Sequence, residues 1–273
     1  MPEPQAFDDP ARWDRVAADY DRWAGPFTSH YARAALVLAG DISLGTRLLD
    51  VAAGTGALAV AAAEAGADVL ATDISPGMIA LLAAKLASFP GCEARVMDGQ
   101  ALSIADDSFD AGASVFGIML FPDWRRGLAE LVRVVKPGGK VVLASWTGQD
   151  GAGPMIPFMR AYRATFPNAE LPAPPAGMAV MSDASLFGEA LCDAGCRDVA
   201  VTAVEGAWQM PSVDHVMAAV DSLMRFTPLY TALDPAGRAA LETQMRAELE
   251  TFADPAGAVH VPSTANIGVG RKR

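Results

Sequence analysis

The stretch Leu48-Leu-Asp-Val-Ala-Ala-Gly-Thr-Gly-Ala-Leu-Ala59, followed by Asp73, decides the fold. It spells a buried strand, a tight glycine turn, the first turn of a helix, and then a second strand that ends in an acid. That is the layout of a mononucleotide-binding half-sheet. Gly54 and Gly56 carry no Cβ, so the backbone there can approach a ligand closely. The helix opening near Ala57 offers unpaired N–H groups to a carboxylate or phosphate. Asp73, at the carboxyl end of the next strand, is placed to accept from both hydroxyls of a ribose. The pattern calls for a cofactor built on adenosine.

Outward from this stretch the alternation of strand and helix continues. Strands are expected at 46–52, 68–72, 93–97, 109–115 and 140–146, and helices at 57–65, 76–88 and 123–135. Ser75-Pro76 is a helix start, with the proline in the first turn. Lys136-Pro-Gly-Gly139 reads as a tight turn feeding the fifth strand. Strands separated by helices give a parallel sheet covered on both faces. Ahead of the core, apolar residues at 13, 16, 17 and 20 give helical spacing over Arg12–Tyr20, and a second helix is expected over Ser29–Ala39. Residues 1–10 are polar and proline-containing and read as frayed.

After Trp146 the pattern loosens. Residues 148–182 read as a loop-rich insertion around one helix near 155–166. A helix at 183–194 and a strand at 198–208 return to the sheet. Helices at 212–226 and 235–252 and a strand at 257–269 complete the chain. The expected architecture is α/β: a doubly wound, mostly parallel, seven-stranded Rossmann-like sheet with an antiparallel last strand and a helical cap. The division that follows is a lid (1–45), a cofactor-binding core (46–147), an insertion at the substrate site (148–182), and a completing segment (183–273) whose cap helices span about 212–253.

The 273 residues carry a net charge of −11, which disfavours nucleic acid and anionic membrane as partners. Arg271-Lys272-Arg273 is a local exception and reads as a solvated tail. A mean hydropathy of +0.23 argues for a filled core, but no 18-residue apolar run offers a membrane helix. Met1-Pro-Glu-Pro-Gln5 lacks the basic start and apolar run of a leader, so the expected location is cytoplasmic. Cys92, Cys192 and Cys196 match no redox pair or zinc spacing and read as small core residues. No metal site is expected, and a homodimer stays open.

Gly54-Thr-Gly-Ala-Leu-Ala59 also satisfies a dinucleotide fingerprint, so a nicotinamide cofactor has to be weighed. Three features tilt the choice. Asp50 lies within the strand, where it either meets a cationic amino group or orients the glycine loop, and where a pyrophosphate would be repelled. Some 45 residues precede the motif. Asp98, after the third strand, can accept from an adenine amino group. With these in place, the chain resembles the class I S-adenosylmethionine-dependent methyltransferases, in the branch of the ubiquinone/menaquinone biosynthesis C-methyltransferases. The resemblance rests on Leu49-Asp-Val-Ala-Ala-Gly-Thr-Gly56, Thr72-Asp-Ile-Ser-Pro-Gly-Met78, Asp98-Gly-Gln-Ala-Leu-Ser-Ile-Ala-Asp-Asp-Ser-Phe-Asp110 and Glu130-Leu-Val-Arg-Val-Val-Lys-Pro-Gly-Gly139. It covers residues 12–147 and fades beyond 150.

The resemblance implies S-adenosylmethionine as cofactor, with Gly54 and Gly56 at its methionine part, Asp73 at the ribose, and Asp98 with Gly99 at the adenine. Asp50, Ala52, Ile74, Met78, Gln100 and Phe116 complete the expected cofactor set, with Tyr20 contributed by a lid. Ala52 stands where many relatives have glycine, and only a slight change of pocket shape is expected from its methyl. Phe116, Gly117, Ile118 and Met119 are expected to form an apolar floor, and Glu130 with Arg133 a surface ion pair. His30 is the one candidate for a general base; His215 and His260 read as surface or edge residues. Apolar positions in the insertion (Met155, Ile156, Phe158, Met159, Met178, Met181) and in the cap (Met217, Leu223, Met224, Phe226, Leu229, Tyr230) point to an apolar or aromatic small-molecule acceptor for C-, O- or N-methylation. A nicotinamide-dependent oxidoreductase and an S-adenosylmethionine-binding protein that does not methylate are the alternatives.

Overall fold

The computed structural model describes residues 7–40, 42–148 and 151–273. Most of the expected frayed start, and residues 149–150 of the insertion, lie outside the described residues.

Seven strands form one sheet: β1 (Arg47–Val51), β2 (Asp68–Asp73), β3 (Glu93–Val96), β4 (Phe109–Val115), β5 (Val135–Trp146), β6 (Cys196–Met210) and β7 (Val259–Lys272). Their order is β3-β2-β1-β4-β5-β7-β6. The pairs from β3 through β5 are parallel, and β7 runs antiparallel to both β5 and β6. This is the expected Rossmann-like sheet with its reversed last strand. Leu48, Leu49, Asp50 and Val51 are all buried, as befits a central parallel strand covered on both faces. Between β1 and β4 the strand order reverses, and there the carboxyl ends open a crevice.

The first half of the chain holds α1 (Pro10–Asp14), α2 (Ala17–Trp23), α3 (Gly25–Ala39), α4 (Ala57–Glu64), α5 (Pro76–Leu86) and α6 (Trp124–Val134), of which α1–α5 border this crevice. Ser75 caps α5 by accepting from the Met78 N–H at 3.1 Å, with Pro76 in the first turn as expected. The single helix expected over 12–20 is broken at Arg15-Val16. Asp14 is drawn to the start of α5, where it accepts from the Ser75 hydroxyl at 2.5 Å and the Gly77 N–H at 2.7 Å. Tertiary bonds outweigh local helical preference there. The next helix begins at Gly25 rather than 29, since Pro26 fits a first turn.

The second half holds α7 (Met155–Thr165), α8 (Ala176–Met181), α9 (Ala184–Asp193), α10 (Val213–Ala218), α11 (Val220–Met224), α12 (Pro228–Thr231) and α13 (Pro235–Glu250). The expected helix 212–226 is two helices, with the break at Ala219 turning Ser222 and Leu223 toward the crevice. The insertion holds α8 in addition to the one helix expected. β5 starts at Val135, not 140: Phe109 pairs with Val135 and Ala111 with Lys140, so Lys136–Gly139 bulge out within the strand instead of preceding it. Gly138, at φ +79°, takes the left-handed corner of that bulge.

One apolar cluster fills both faces of the sheet, and a second packs α7 and α10–α13 against the outer ends of β6 and β7. Of the cysteines only Cys196 is buried; Cys92 is half-buried and Cys192 exposed, so the core reading holds for one of three. Among the described residues no helix is long and apolar enough to cross a membrane.

Candidate functional site

A cavity of about 470 Å³ lies at the carboxyl ends of β1, β2 and β4, roofed by α1–α3 and closed at its far end by α7, α11 and the 171–175 segment. Its size is that of a small-molecule or cofactor site. Tyr20, Asp50, Ala52, Gly54, Asp73, Ile74, Met78, Asp98, Gly99, Gln100 and Phe116 line it together. Gly56 does not. It caps α4 at φ +98°, where a Cβ would come within 2.3 Å of Leu82 Cδ1, so this glycine answers to packing beneath the turn.

The acids divide the work at the glycine turn. Asp73 accepts from the Gly54 N–H at Oδ2 and from the Ser75 N–H at Oδ1, both at 2.9 Å, which ties the turn to the end of β2. Each carboxylate oxygen keeps a lone pair for a ligand. Burial raises the Asp73 pKa, opposed by these N–H bonds. Asp50 is 1% exposed, and its Oδ2 has no hydrogen-bond partner among the described residues. Burial first, and then the charge of Asp73, push it up to about 8 against an opposing N–H bond from Ala59. A buried carboxylate oxygen facing a cavity without a partner is costly unless a ligand cation meets it. The ring of Tyr20 lies over the turn, its Cε1 3.6 Å from where a Gly54 Cβ would be. Burial, with Asp73 beside it, raises the phenol to about 12.

Opposite, Asp98 Oδ1 accepts from the Gln100 N–H at 2.8 Å, and Gln100 Oε1 accepts from the Asp123 N–H at 3.0 Å. Glu130 and Arg133 are more than the expected surface pair. Glu130 Oε2 accepts from the Leu102 N–H at 2.9 Å, while Arg133 donates to the carbonyls of Leu102 and Ile104 and to Asp106. The pair staples the loop that carries Asp98. Their mutual bonds hold the Glu130 pKa below and the Arg133 pKa above the usual range.

Ala52 sits at φ +55°, in the left-handed region that costs an L-residue about 1–2 kcal/mol. Beyond any change of pocket shape, its methyl lies 2.5 Å from where a Cβ on Gly117 would be, so residue 117 has no room for a side chain. Phe116, at φ +64°, is a second left-handed residue. Its ring stacks on Trp146 at 3.7 Å, Phe27 stacks on Trp146 at 5.3 Å, and Tyr31 meets all three edge-on. Phe116, Gly117 and Met119 reach the cavity floor, but Ile118 is turned into the core.

His30 lies outside the cavity. It is exposed, and its Nε2 donates to the Glu205 carbonyl at 2.9 Å, so the expected base is out of reach of the site. His215 is exposed, and His260 pairs with Asp254 at 3.3 Å. Among the described residues no group of three or more His, Cys, Asp or Glu side chains is placed to hold a metal ion. Of the expected acceptor-side residues, Met155, Met159, Met178, Leu223, Phe226 and Leu229 line the cavity, whereas Phe158, Met181, Met224 and Tyr230 are buried elsewhere. Ile156 and Met217 pack against the second cluster. Trp146, the last residue of β5, lines the cavity beside Phe116, which follows β4; it was not among the expected site residues. Arg12, whose Nη2 donates to the Phe226 carbonyl at 2.9 Å, left no signal in the sequence.

A sequence profile described as a methyltransferase domain matches residues 49–143. The chain is 38% identical over 179 residues to an uncharacterized protein of Mycobacterium tuberculosis, covering 60% of this chain and 64% of that protein. It is 37% identical over 153 residues to the demethylmenaquinone methyltransferase of Clavibacter sepedonicus, covering 55% and 60% respectively. The chain thus spans under two thirds of the length of these relatives. Among solved structures, the phosphoethanolamine N-methyltransferase 2 of Haemonchus contortus in complex with S-adenosyl-L-methionine superposes with a TM-score of 0.52 at 19% identity, covering 89% of this chain and 52% of that one. That likeness is one of fold. The matched profile, the strand order and the relatives agree: residues 49–143 form a class I S-adenosylmethionine-dependent methyltransferase domain, distantly related to that of the demethylmenaquinone methyltransferases.

Proposed function

We propose that this protein transfers a methyl group from S-adenosylmethionine to a small apolar or aromatic molecule, at carbon or oxygen, with nitrogen a further option. The observation that carries the reading is the orphaned Oδ2 of buried Asp50, facing the same cavity as Gly54, Asp73 and Asp98. Such a carboxylate fits the ammonium of a methionine moiety. In this reading Asp73 takes the ribose hydroxyls, Asp98 with Gly99 and Gln100 takes the adenine, and Tyr20 covers the turn. The cofactor, when bound, supplies an electrophilic methyl group on a sulfonium.

What the chain adds is alignment and the exclusion of water. Among the described residues, nine aromatic side chains and six methionines line the cavity, so its walls are largely apolar and shed water when an apolar acceptor enters. Phe27 and Phe116 stack on Trp146 and form one aromatic wall of the cavity. Methionine is flexible and polarizable, so Met155, Met159 and Met178 let the far end adapt to its acceptor. No side chain is assigned as base; an acceptor whose proton leaves late needs none.

The test is to incubate purified protein with methyl-labelled S-adenosylmethionine and a metabolite extract. Label in an extractable organic product is expected. Tight binding without transfer would favour a non-methylating role, and binding of NAD in place of S-adenosylhomocysteine would favour an oxidoreductase.

A further inference from the structure

Lys85 lies on α5 and does not line the cavity, yet its ammonium joins the two walls that face each other across the cofactor end. Nζ donates to the Thr55 carbonyl at 2.9 Å and to Oδ1 of Asp21 on α2. Thr55 is the middle residue of the glycine turn. Asp21 follows Tyr20, whose ring lies over Gly54. One cation thus touches the floor and the roof at once.

The turn needs such a tie. Gly54 and Gly56 stand at φ +55° and +98°, and glycine leaves such conformations readily. The peptide plane between Thr55 and Gly56 is therefore poorly held by its own backbone preferences. Two bonds fix it: the Gly56 N–H donates to the Ala53 carbonyl at 2.9 Å, and the Thr55 carbonyl accepts from Lys85. A flip of that plane breaks both.

We propose that Lys85 is a positioning residue for cofactor binding, locking the Thr55–Gly56 peptide and docking α2 over it through Asp21. The proposal rests on the cofactor reading above. The Lys85 and Asp21 side chains are 38% and 31% exposed, and a pair so placed contributes little to folding. Its effect falls on the bound state, where turn and roof must be in register.

The experiment is calorimetric titration of S-adenosylhomocysteine into the parent protein and into Lys85→Met, Lys85→Arg, Asp21→Asn and the Lys85→Met/Asp21→Asn double variant, with stopped-flow dissociation and melting of each free protein. Arg33→Met, which breaks an exposed pair between α3 and α4, serves as the unaffected comparison. Lys85→Met is expected to bind about 5–20-fold more weakly through faster dissociation, with Lys85→Arg recovering most of the loss. The double variant should bind no more weakly than Lys85→Met, because both changes cut one connection. All free proteins should melt within about 2 °C of the parent. Unchanged affinity in Lys85→Met overturns the proposal, as does a loss that tracks a fall in the melting temperature of the free protein. A parent that does not bind S-adenosylhomocysteine instead overturns the cofactor reading itself.

Discussion

The methyl of Ala52 stands 2.5 Å from where a Cβ on Gly117 would lie, so the turns after β1 and β4 meet with room for one side chain between them. Ala52 occupies that room at φ +55°, and Gly117 leaves it free. The two positions are coupled, although 65 residues separate them in the chain. Gly117→Ala is expected to lower stability by about 1–3 kcal/mol through overpacking against Ala52 and Ser114. Ala52→Gly should raise stability by about 0.5–1 kcal/mol, as relief of the left-handed alanine exceeds the entropy cost of glycine. In the double variant part of the Gly117→Ala loss should return. Urea unfolding of all four proteins measures this, and strict additivity would refute the contact.

Asp50 sets stability against binding. Its pKa in the folded protein, about 8, lies above the ordinary carboxylate value near 3.8 reached on unfolding. The folded state therefore holds the extra proton, and stability falls as pH rises from about 4 to about 8. Asp50→Asn removes that ionisation. The variant should melt at least roughly 3 °C above the parent at pH 8, with the gap closing toward pH 4. The same variant should bind S-adenosylhomocysteine at least about 10-fold more weakly, having lost a charged partner for the ammonium. Melting across pH and calorimetry at pH 8 check the two halves separately.

Arg133 holds the 102–106 loop by bonds that no other side chain duplicates among the described residues. Arg133→Ala is expected to cost roughly 1–3 kcal/mol of stability, and to speed amide exchange at Leu102, whose acceptor Glu130 loses its own partner. Because this loop carries Asp98, cofactor affinity should fall as well. Hydrogen exchange read by mass spectrometry locates the change; protection unaltered at 98–106 would refute the staple.

His30→Ala should leave cofactor affinity and turnover within about twofold, and the pH profile unchanged in shape, since the ring lies outside the cavity and is spent on Glu205. A loss of tenfold or more with folding intact would restore it as a candidate base.

Much of the molecule was legible in order of residues. The central strand shows as a run of buried apolar side chains interrupted by one acid, and the glycine turn and Asp73 follow from its end. Ser75-Pro76 marks the start of α5. These are local features: a strand's period, a cap or a turn is written within a few residues. The break at Arg15-Val16 was not legible, because Asp14 is recruited by Ser75 and Gly77 from another part of the chain. The split at Ala219, and the sorting of methionines between cavity and core, depend in the same way on neighbours remote in sequence.

From sequence alone came the strand-helix alternation, the cofactor class and the acids at or near the carboxyl ends of the first three strands, because backbone periodicity and turn chemistry are set by adjacent residues. Tertiary structure alone decided that Gly56 answers to Leu82, that His30 faces away, that Ala52 leaves no room for a side chain at Gly117, and that Lys85 ties the glycine turn to α2. The reason is physical. Each of these depends on which atoms share a small volume once the sheet has closed, and close packing leaves that choice to distant segments of the chain.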